Sequence, residues 1–133
     1  MQALRAILSV DDKRIAHTMV ESILAPYVLE GTRIVHAYDG LEALRALVDH
    51  PEIDLILLDI NMPVMNGLAF LEQKQRTQFA SIPVIVVTSE GERRDEAEHA
   101  IALGATRVLS KPFGYQELDA CVRSIFVDWL DAE

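Results

Sequence analysis

The chain has 133 residues, of which half are hydrophobic and a quarter are charged, as is usual for a globular domain. This length predicts one domain spanning residues 1–133, with a core that needs no disulfide or metal to fold. Acidic residues outnumber basic ones by 21 to 12, giving a net charge of −9. Such a chain is poorly suited to direct binding of DNA or of an anionic membrane, and fits a protein that binds other proteins.

Targeting and cysteine signals are weak. The single cysteine, Cys121, cannot form an internal disulfide, and no Cys and His spacing predicts a metal site. No apolar run is long enough to cross a bilayer, and the N-terminus lacks the apolar segment of a secretory signal. We therefore expect no membrane insertion and a cytoplasmic location.

Five short buried strands alternate with five helices along the chain. The apolar runs predict strands at residues 6–10, 32–37, 54–58, 84–87 and 106–109. Helical patterns follow at 13–25, from 39 to the residue before Pro51, from about 66, at 92–103 and at 115–130. Strict alternation with short connections predicts an α/β fold, a doubly wound five-stranded parallel sheet with helices on both faces.

Two helices carry detailed expectations. In the first, the expected apolar stripe is Ile15, Met19, Val20, Ile23 and Leu24. Pro26 is expected to end that helix. In the second, Asp39 is predicted as the N-cap with Glu42 three residues on. Its expected apolar face is Leu41, Leu44, Leu47 and Val48.

The third predicted strand ends on an acid at the carboxyl edge of the sheet. The run Leu55–Leu58 has no polar alternation, as is typical of a strand buried on both faces, and Asp59 follows it directly. Open parallel sheets bind ligands in the crevice at the carboxyl ends of their strands. Asp59 is therefore either a functional carboxylate or a simple polar strand terminus, and the other strand ends discriminate between these alternatives.

The other strands also end in polar residues. Asp11 and Asp12 follow the first strand, Thr88 the fourth and Lys111 the fifth. Three carboxylates at one edge repel one another unless a cation lies among them, and Mg²⁺ prefers such oxygen ligands. A hydroxyl and an ammonium beside them suit the oxygens of a phosphoryl group. Each residue alone could be a helix cap or a solvated side chain, but together they indicate an acidic metal site with a carboxylate nucleophile.

These motifs resemble those of the receiver domains of two-component response regulators, in particular stand-alone regulators of the chemotaxis type. The resemblance covers nearly the whole chain and lies in Val10-Asp11-Asp12, Leu58–Pro63 with Gly67, Val87-Thr88-Ser89, and Lys111-Pro112-Phe113. It implies the flavodoxin-like (βα)₅ fold with strand order 2-1-3-4-5. It also implies a phosphoprotein in phosphorelay signal transduction, which catalyses only its own phosphorylation and dephosphorylation and is otherwise no enzyme.

The resemblance assigns roles to the site residues. Asp59 would accept a phosphoryl group from a sensor histidine kinase or a histidine phosphotransfer protein. Mg²⁺ or Mn²⁺ would be bound by Asp12, Asp59 and the backbone carbonyl of Asn61, with Asp11 acting through water. Lys111, before a cis peptide to Pro112, would pair with the phosphoryl oxygens. Asn61 and Glu90 would tune the lifetime of the phosphoryl group.

The switch positions depart from the family pattern. The Thr88 hydroxyl would move towards the phosphoryl group, and an aromatic residue three positions before the lysine would then turn inwards. That position here is Val108, which is too small for such a change. Either the face of the fourth predicted helix and the fifth strand signals through backbone shifts alone, or the unknown downstream protein binds a different face. A monomer or weak dimer is expected.

Two other functions remain open. A receiver that binds partners constitutively, without switching, is favoured by Val108 and disfavoured by the complete set of acids, Thr88 and Lys111. A phosphatase with an aspartyl-phosphate intermediate is disfavoured, because its nucleophile would follow the first strand and a cap domain would cover the substrate. The four histidines are scattered in sequence, adjoin no motif and are expected to be core or surface residues.

Overall fold

The computed structural model describes residues 4–60, 62, 64–89 and 94–126. Its strands form one parallel sheet in the order β2-β1-β3-β4-β5. They are β1 (Ala6–Val10), β2 (Arg33–Ala37), β3 (Ile53–Asp59), β4 (Val84–Thr88) and β5 (Arg107–Ser110). The helices are α1 (Arg14–Ile23), α2 (Ala25–Leu29), α3 (Gly40–Asp49), α4 (Gly67–Gln75), α5 (Arg94–Ala102) and α6 (Tyr115–Ile125). The predicted fold and strand order are confirmed; the predicted helix end at 130 lies outside the described residues.

The central strands supply a hydrophobic layer to each face of the sheet. In β3, Ile56 and Leu58 join the cluster beneath α3, α4 and α5, whereas Leu55 and Leu57 join the cluster beneath α1 and α6. Successive side chains of a strand point to opposite faces, so an unbroken apolar run is what a strand covered on both sides requires. This burial on both faces positions Asp59 at the end of a rigid central strand.

The first helix differs from its prediction in two ways. Pro26 does not end the helical region but lies in the first turn of α2, where its missing N–H is not needed. Ile15 and Met19, expected to be buried, are 70% and 58% exposed. The buried side of α1 instead includes His17, with Leu24 buried just beyond the C-terminus of the helix. The expected apolar stripe was therefore wrong at its first two positions.

The third helix packs through small residues. Its buried positions include Gly40, Ala43 and Ala46, whereas Leu41 and Val48, both expected in the core, are exposed. Gly40 donates its N–H to the Met65 carbonyl at 2.9 Å, and a Cβ there would lie 2.7 Å from that oxygen. This close approach explains why the helix turns its small residues inwards.

The predicted cap of α3 is confirmed. The Asp39 carboxylate accepts the N–H of Glu42 at 2.8 Å. In return, the Glu42 carboxylate accepts the N–H of Tyr38 at 3.0 Å. The first bond satisfies a backbone donor that the helix leaves unpaired, and the second ties the residue before the cap to the same turn, so that together they fix where α3 begins.

One lysine of α4 lies in the interior. Lys74 is only 2% exposed, and its Nζ donates to the backbone carbonyl of Ala80 at 2.9 Å. Burial lowers the pKa of Lys74 from 10.5 to about 8. A shift of this size corresponds to about 3 kcal/mol of unfavourable free energy for the charged folded state.

Replacing Lys74 tests this cost. The unfolded chain binds more protons than the folded one between pH 8 and pH 10.5, so the stability of the wild-type protein should rise with pH across that window. Lys74→Met should raise the free energy of unfolding at pH 7 by about 1–2 kcal/mol, the loss of one hydrogen bond being included. It should also remove the rise above pH 8, as measured by urea unfolding.

The matched control is Gln73→Met, at an exposed neighbouring position of the same helix. It adds a methionine without removing a buried charge and should leave the pH profile of stability unchanged. A wild-type stability that falls between pH 8 and pH 10.5 as Lys74 deprotonates, relative to Lys74→Met, would contradict the assignment.

Candidate functional site

Three carboxylates meet at the carboxyl edge of the sheet. Asp11 follows β1, Asp59 ends β3, and these strands pair with Val10 opposite Leu58. One carboxylate oxygen each from Asp11, Asp12 and Asp59 lie within 4.8 Å of one another. Asp59 is only 4% exposed and Asp11 is also buried, so water screens their repulsion poorly. An all-oxygen donor set of this charge and spacing fits a hard divalent cation such as Mg²⁺.

Asp11 is held by bonds to both carboxylate oxygens. Its Oδ1 accepts the backbone N–H of Lys13 at 3.0 Å, and its Oδ2 lies 3.3 Å from the Lys111 ammonium. Its own N–H donates to the Ala37 carbonyl at 3.1 Å. Asp11 is therefore oriented by β2, by the start of α1 and by the end of β5 together.

Asp12 is the more exposed acid of the pair. Its Oδ1 lies 3.2 Å from the ammonium of Lys13, and this hydrogen bond raises the pKa of Lys13. Much of the Lys13 side chain is in water, so the ion pair contributes little to stability. Asp12 can therefore exchange this lysine for a cation at small cost.

The ends of β4 and β5 bring the predicted hydroxyl and ammonium to the same edge. Thr88 is buried at the end of β4, and its carbonyl accepts the N–H of Lys111 at 2.8 Å. The peptide bond between Lys111 and Pro112 is cis. The structure thus brings Asp11, Asp12, Asp59, Thr88 and Lys111 to one edge. The remaining predicted residues, Asn61 and Glu90, lie outside the described part of the chain.

The turn after Asp59 is closed by two features of its sequence. Gly67 donates its N–H to the Ile60 carbonyl at 2.8 Å, and the Asn66 side chain caps α4 by accepting the N–H of Ala69 at 2.9 Å. Val64, between them and the strand, has φ +65° and an exposed side chain. A β-branched residue rarely adopts this left-handed conformation, so the loop holds Val64 under backbone strain.

A cavity of about 160 Å³ opens beside the carboxylates. Asp59 and Lys111 line it together with the apolar residues Ala16, Met19 and Val20 of α1. The cavity therefore adjoins Asp59, although that residue is almost completely buried.

Sequence reasoning missed the place of one histidine. His17 is buried on the inner side of α1, and its Nε2 lies 2.8 Å from the backbone carbonyl oxygen of Asp11. Burial lowers the pKa of His17. His17 is therefore a core residue, one of the two alternatives expected from the sequence, and it also adjoins the acid motif in space. The available signal was a polar residue flanked by the predicted core positions of α1.

Val108 lies on β5 opposite Val86 and is 36% exposed. A partly exposed valine at this position has no large side chain that could turn inwards. Among the described residues, no helix is long and apolar enough to span a membrane.

Comparisons with known proteins agree with this geometry. The family model for the response regulator receiver domain matches residues 7–123. The chain is 39% identical over 119 residues to the transcriptional regulatory protein CpxR of Escherichia coli, covering 90% of this chain and 48% of that protein. It is 29% identical over 121 residues to the "Probable chemotaxis protein CheY" of Rhizobium etli, covering 90% and 91% respectively. The solved structure of Vibrio cholerae chemotaxis protein CheY4 superposes with TM-score 0.79 at 29% identity, covering 92% of this chain and 99% of that one.

The fold and the acid cluster define a parallel α/β domain with an acidic site at the carboxyl ends of its strands. The match over residues 7–123 shows that the chain belongs to the response regulator receiver domain family of two-component systems. The resemblance inferred from the sequence is therefore confirmed. The chain spans about half the length of the CpxR relatives and most of the length of the CheY relative.

The packing of Gly67 against the acid strand yields a prediction. A Cβ at Gly67 would lie 2.7 Å from the Asp59 carbonyl oxygen and 2.8 Å from the Ile60 Cα. Because both are backbone atoms, Gly67→Ala must shift the end of β3 or the start of α4, at a cost of about 1–3 kcal/mol. Urea unfolding should show this loss, and titration calorimetry should show weaker Mg²⁺ binding.

Gly114→Ala serves as the control, since a Cβ there meets only the end of the Glu117 side chain, at 3.2 Å. This variant should change neither stability nor Mg²⁺ affinity by more than a small amount. Equal behaviour of the two variants would show that the turn after Asp59 does not constrain the site.

Proposed function

We propose that this receiver domain accepts a phosphoryl group on Asp59 from the phosphohistidine of a sensor histidine kinase or a histidine phosphotransfer protein. The observation that carries the proposal is the meeting of Asp11, Asp12 and Asp59 with Lys111 at one edge of the sheet. A purely structural acid cluster would not need a buried aspartate that lines a cavity together with a lysine. The membership of the chain in the receiver family supports the same reaction.

The reaction is a transfer between two nucleophiles. A carboxylate oxygen of Asp59 attacks phosphorus, a new O–P bond forms, and the N–P bond to the donor imidazole breaks with its electron pair leaving on nitrogen. Water later attacks the acyl phosphate, which releases inorganic phosphate and restores the carboxylate. The chain thereby catalyses its own phosphorylation and dephosphorylation.

The acidic residues fit the cation that this reaction needs. Asp12 and Asp59 would hold Mg²⁺ or Mn²⁺ directly with the backbone carbonyl of Asn61, and Asp11 would act through water. When bound, the ion supplies positive charge that offsets the negative charge of the transferring group. Lys111, which bonds Asp11 in the unphosphorylated protein, would pair with a phosphoryl oxygen.

A protein donor must contact the surface around Asp59. Two elements next to Asp59 in the fold carry exposed apolar side chains, Ile15 and Met19 on α1 and Val64 in the turn after β3. Such residues can be buried by a partner without loss of charged-group hydration. We assign them to the contact with the histidine-bearing donor.

The phosphoryl group adds nearly two negative charges and would draw the Thr88 hydroxyl towards it. We propose that the resulting shift of β4 and β5 changes the affinity for a downstream protein. We also propose that residues 1–133 form one cytoplasmic domain that acts as a monomer or weak dimer, with neither direct DNA binding nor membrane insertion.

The acceptor role is tested by intact mass. Incubation with Mg²⁺ and acetyl phosphate should add one phosphoryl group, about 80 Da, because the Asp59 carboxylate is the nucleophile of the proposed reaction. Asp59→Asn removes the nucleophile and should abolish the gain, as should chelation of Mg²⁺ by EDTA.

Asp54→Asn is the matched control, at the opposite end of the same strand, where the side chain accepts the N–H of Arg5 at 2.9 Å. The asparagine oxygen can keep that bond, so phosphorylation should continue. Absence of any mass gain in the wild-type protein, with Mg²⁺ binding verified and a phosphohistidine donor also failing, would refute the proposal.

Val108 favours a second candidate, a receiver that binds its partner constitutively. The two functions differ in how far the effect of phosphorylation extends. A switching receiver should show amide chemical-shift changes from Thr88 along β5, because Lys111 and Thr88 are joined by a backbone hydrogen bond. Changes confined to Asp11, Asp12 and Asp59 in NMR spectra recorded with acetyl phosphate and Mg²⁺ would instead support constitutive binding.

A further inference from the structure

A chain of hydrogen bonds leads from the backbone of the acid pair into α1 and β2. His17 Nε2 lies 2.8 Å from the Asp11 carbonyl oxygen, and His17 Nδ1 lies 3.2 Å from Ser9 Oγ and 2.7 Å from His36 Nδ1. At the far end, His36 Nε2 lies 2.6 Å from a carboxylate oxygen of Glu21. His17 and Ser9 are buried, so water competes little for the inner bonds.

The two ends of this chain determine which ring nitrogens donate. A carbonyl oxygen and a carboxylate oxygen only accept, so His17 donates from Nε2 to Asp11 and His36 donates from Nε2 to Glu21. His17 Nδ1 is then an acceptor with a single lone pair, and the Ser9 hydroxyl can donate to it. Ser9 thus holds His17 in the tautomer that donates to Asp11.

The carbonyl that His17 binds belongs to the peptide unit between Asp11 and Asp12. This unit is planar and rigid, so its orientation sets the direction in which the next residue leaves the chain. On the other side of Asp11, the N–H still donates to Ala37 of β2. The hydrogen bond to His17 therefore fixes the first peptide unit beyond β1, which carries the Asp12 side chain towards Asp59.

We propose that His17 is a positioning residue of the site, holding the Asp11–Asp12 peptide so that the three carboxylates converge. This inference rests on the proposed function, because the convergence matters for Mg²⁺ binding and for phosphorylation of Asp59. His17 acts only through the backbone of Asp11. Residues that orient ligands from behind typically change metal affinity by about 10–100-fold when they are lost.

Two substitutions separate the hydrogen bond from the packing of the ring. His17→Phe keeps an aromatic ring but removes the donor, whereas His17→Gln keeps an N–H donor on a side chain of similar reach. His99→Phe, on the exposed side of α5, is the control. Each protein is compared for its Mg²⁺ dissociation constant by titration calorimetry, its rate of phosphorylation by acetyl phosphate from intact mass, and its thermal midpoint.

We expect His17→Phe to raise the Mg²⁺ dissociation constant about tenfold at a temperature where the protein is folded. It should slow phosphorylation at limiting Mg²⁺ by a similar factor. His17→Gln should restore most of both, and His99→Phe should match the wild-type protein. A lower thermal midpoint with an unchanged dissociation constant, or a glutamine variant no better than phenylalanine, would overturn the positioning role.

A measurement on the wild-type protein keeps the test valid if His17→Phe does not fold. Long-range ¹H–¹⁵N NMR spectra should show His17 protonated at Nε2 and unprotonated at Nδ1, and the opposite tautomer would overturn the inference. Failure of the proposed function gives a different result, because even the wild-type protein would then take up no phosphoryl group. If the wild-type protein is phosphorylated and His17→Phe is phosphorylated at the same rate, only the positioning role is overturned.

Discussion

The repulsion among three carboxylates is the constraint on which this structure depends. Asp11, Asp12 and Asp59 bring oxygens within 4.8 Å of one another at an edge where two of the acids are buried. Such an arrangement opposes folding unless other groups supply positive charge and hydrogen-bond donors. The two lysines provide the charge, since Lys111 lies 3.3 Å from Asp11 and Lys13 lies 3.2 Å from Asp12.

Because the sheet is rigid, the carboxylates cannot move apart, and their repulsion favours the binding of a cation. β3 is buried on both faces, so Asp59 cannot move away from its neighbours without disrupting both hydrophobic clusters. The site is therefore preorganised for a cation and for a group that brings negative oxygens to Lys111. Flexibility is left to the lysine side chains, which are only partly buried and can change partners.

Patterns with one dominant cause could be predicted from the sequence. The apolar run of β3 and the acid that ends it fit few other positions in a parallel sheet. The cap at Asp39 depends only on two residues that are close in sequence and in contact. Which of two apolar faces of a helix is buried could not be predicted. In α3 the small residues face inwards because Gly40 lies against Met65, a contact between segments distant in sequence that no local pattern contains. The hydrogen bond from His17 to Asp11 also depends on tertiary structure.

The usual pattern of buried apolar and exposed polar residues is reversed in the turn of α1 nearest the site. The two sides of this turn contribute to different parts of the proposed function. His17 is buried against the Asp11 backbone, whereas Ile15 and Met19, close to it in the helix, are exposed. Hydrophobic burial alone would favour the opposite arrangement. A polar side chain facing the sheet has a partner in the Asp11 carbonyl, and an apolar side chain facing water gains a partner only when another protein binds. In the function proposed here, one face of α1 orients the acids and the other is available to the phosphoryl donor of Asp59.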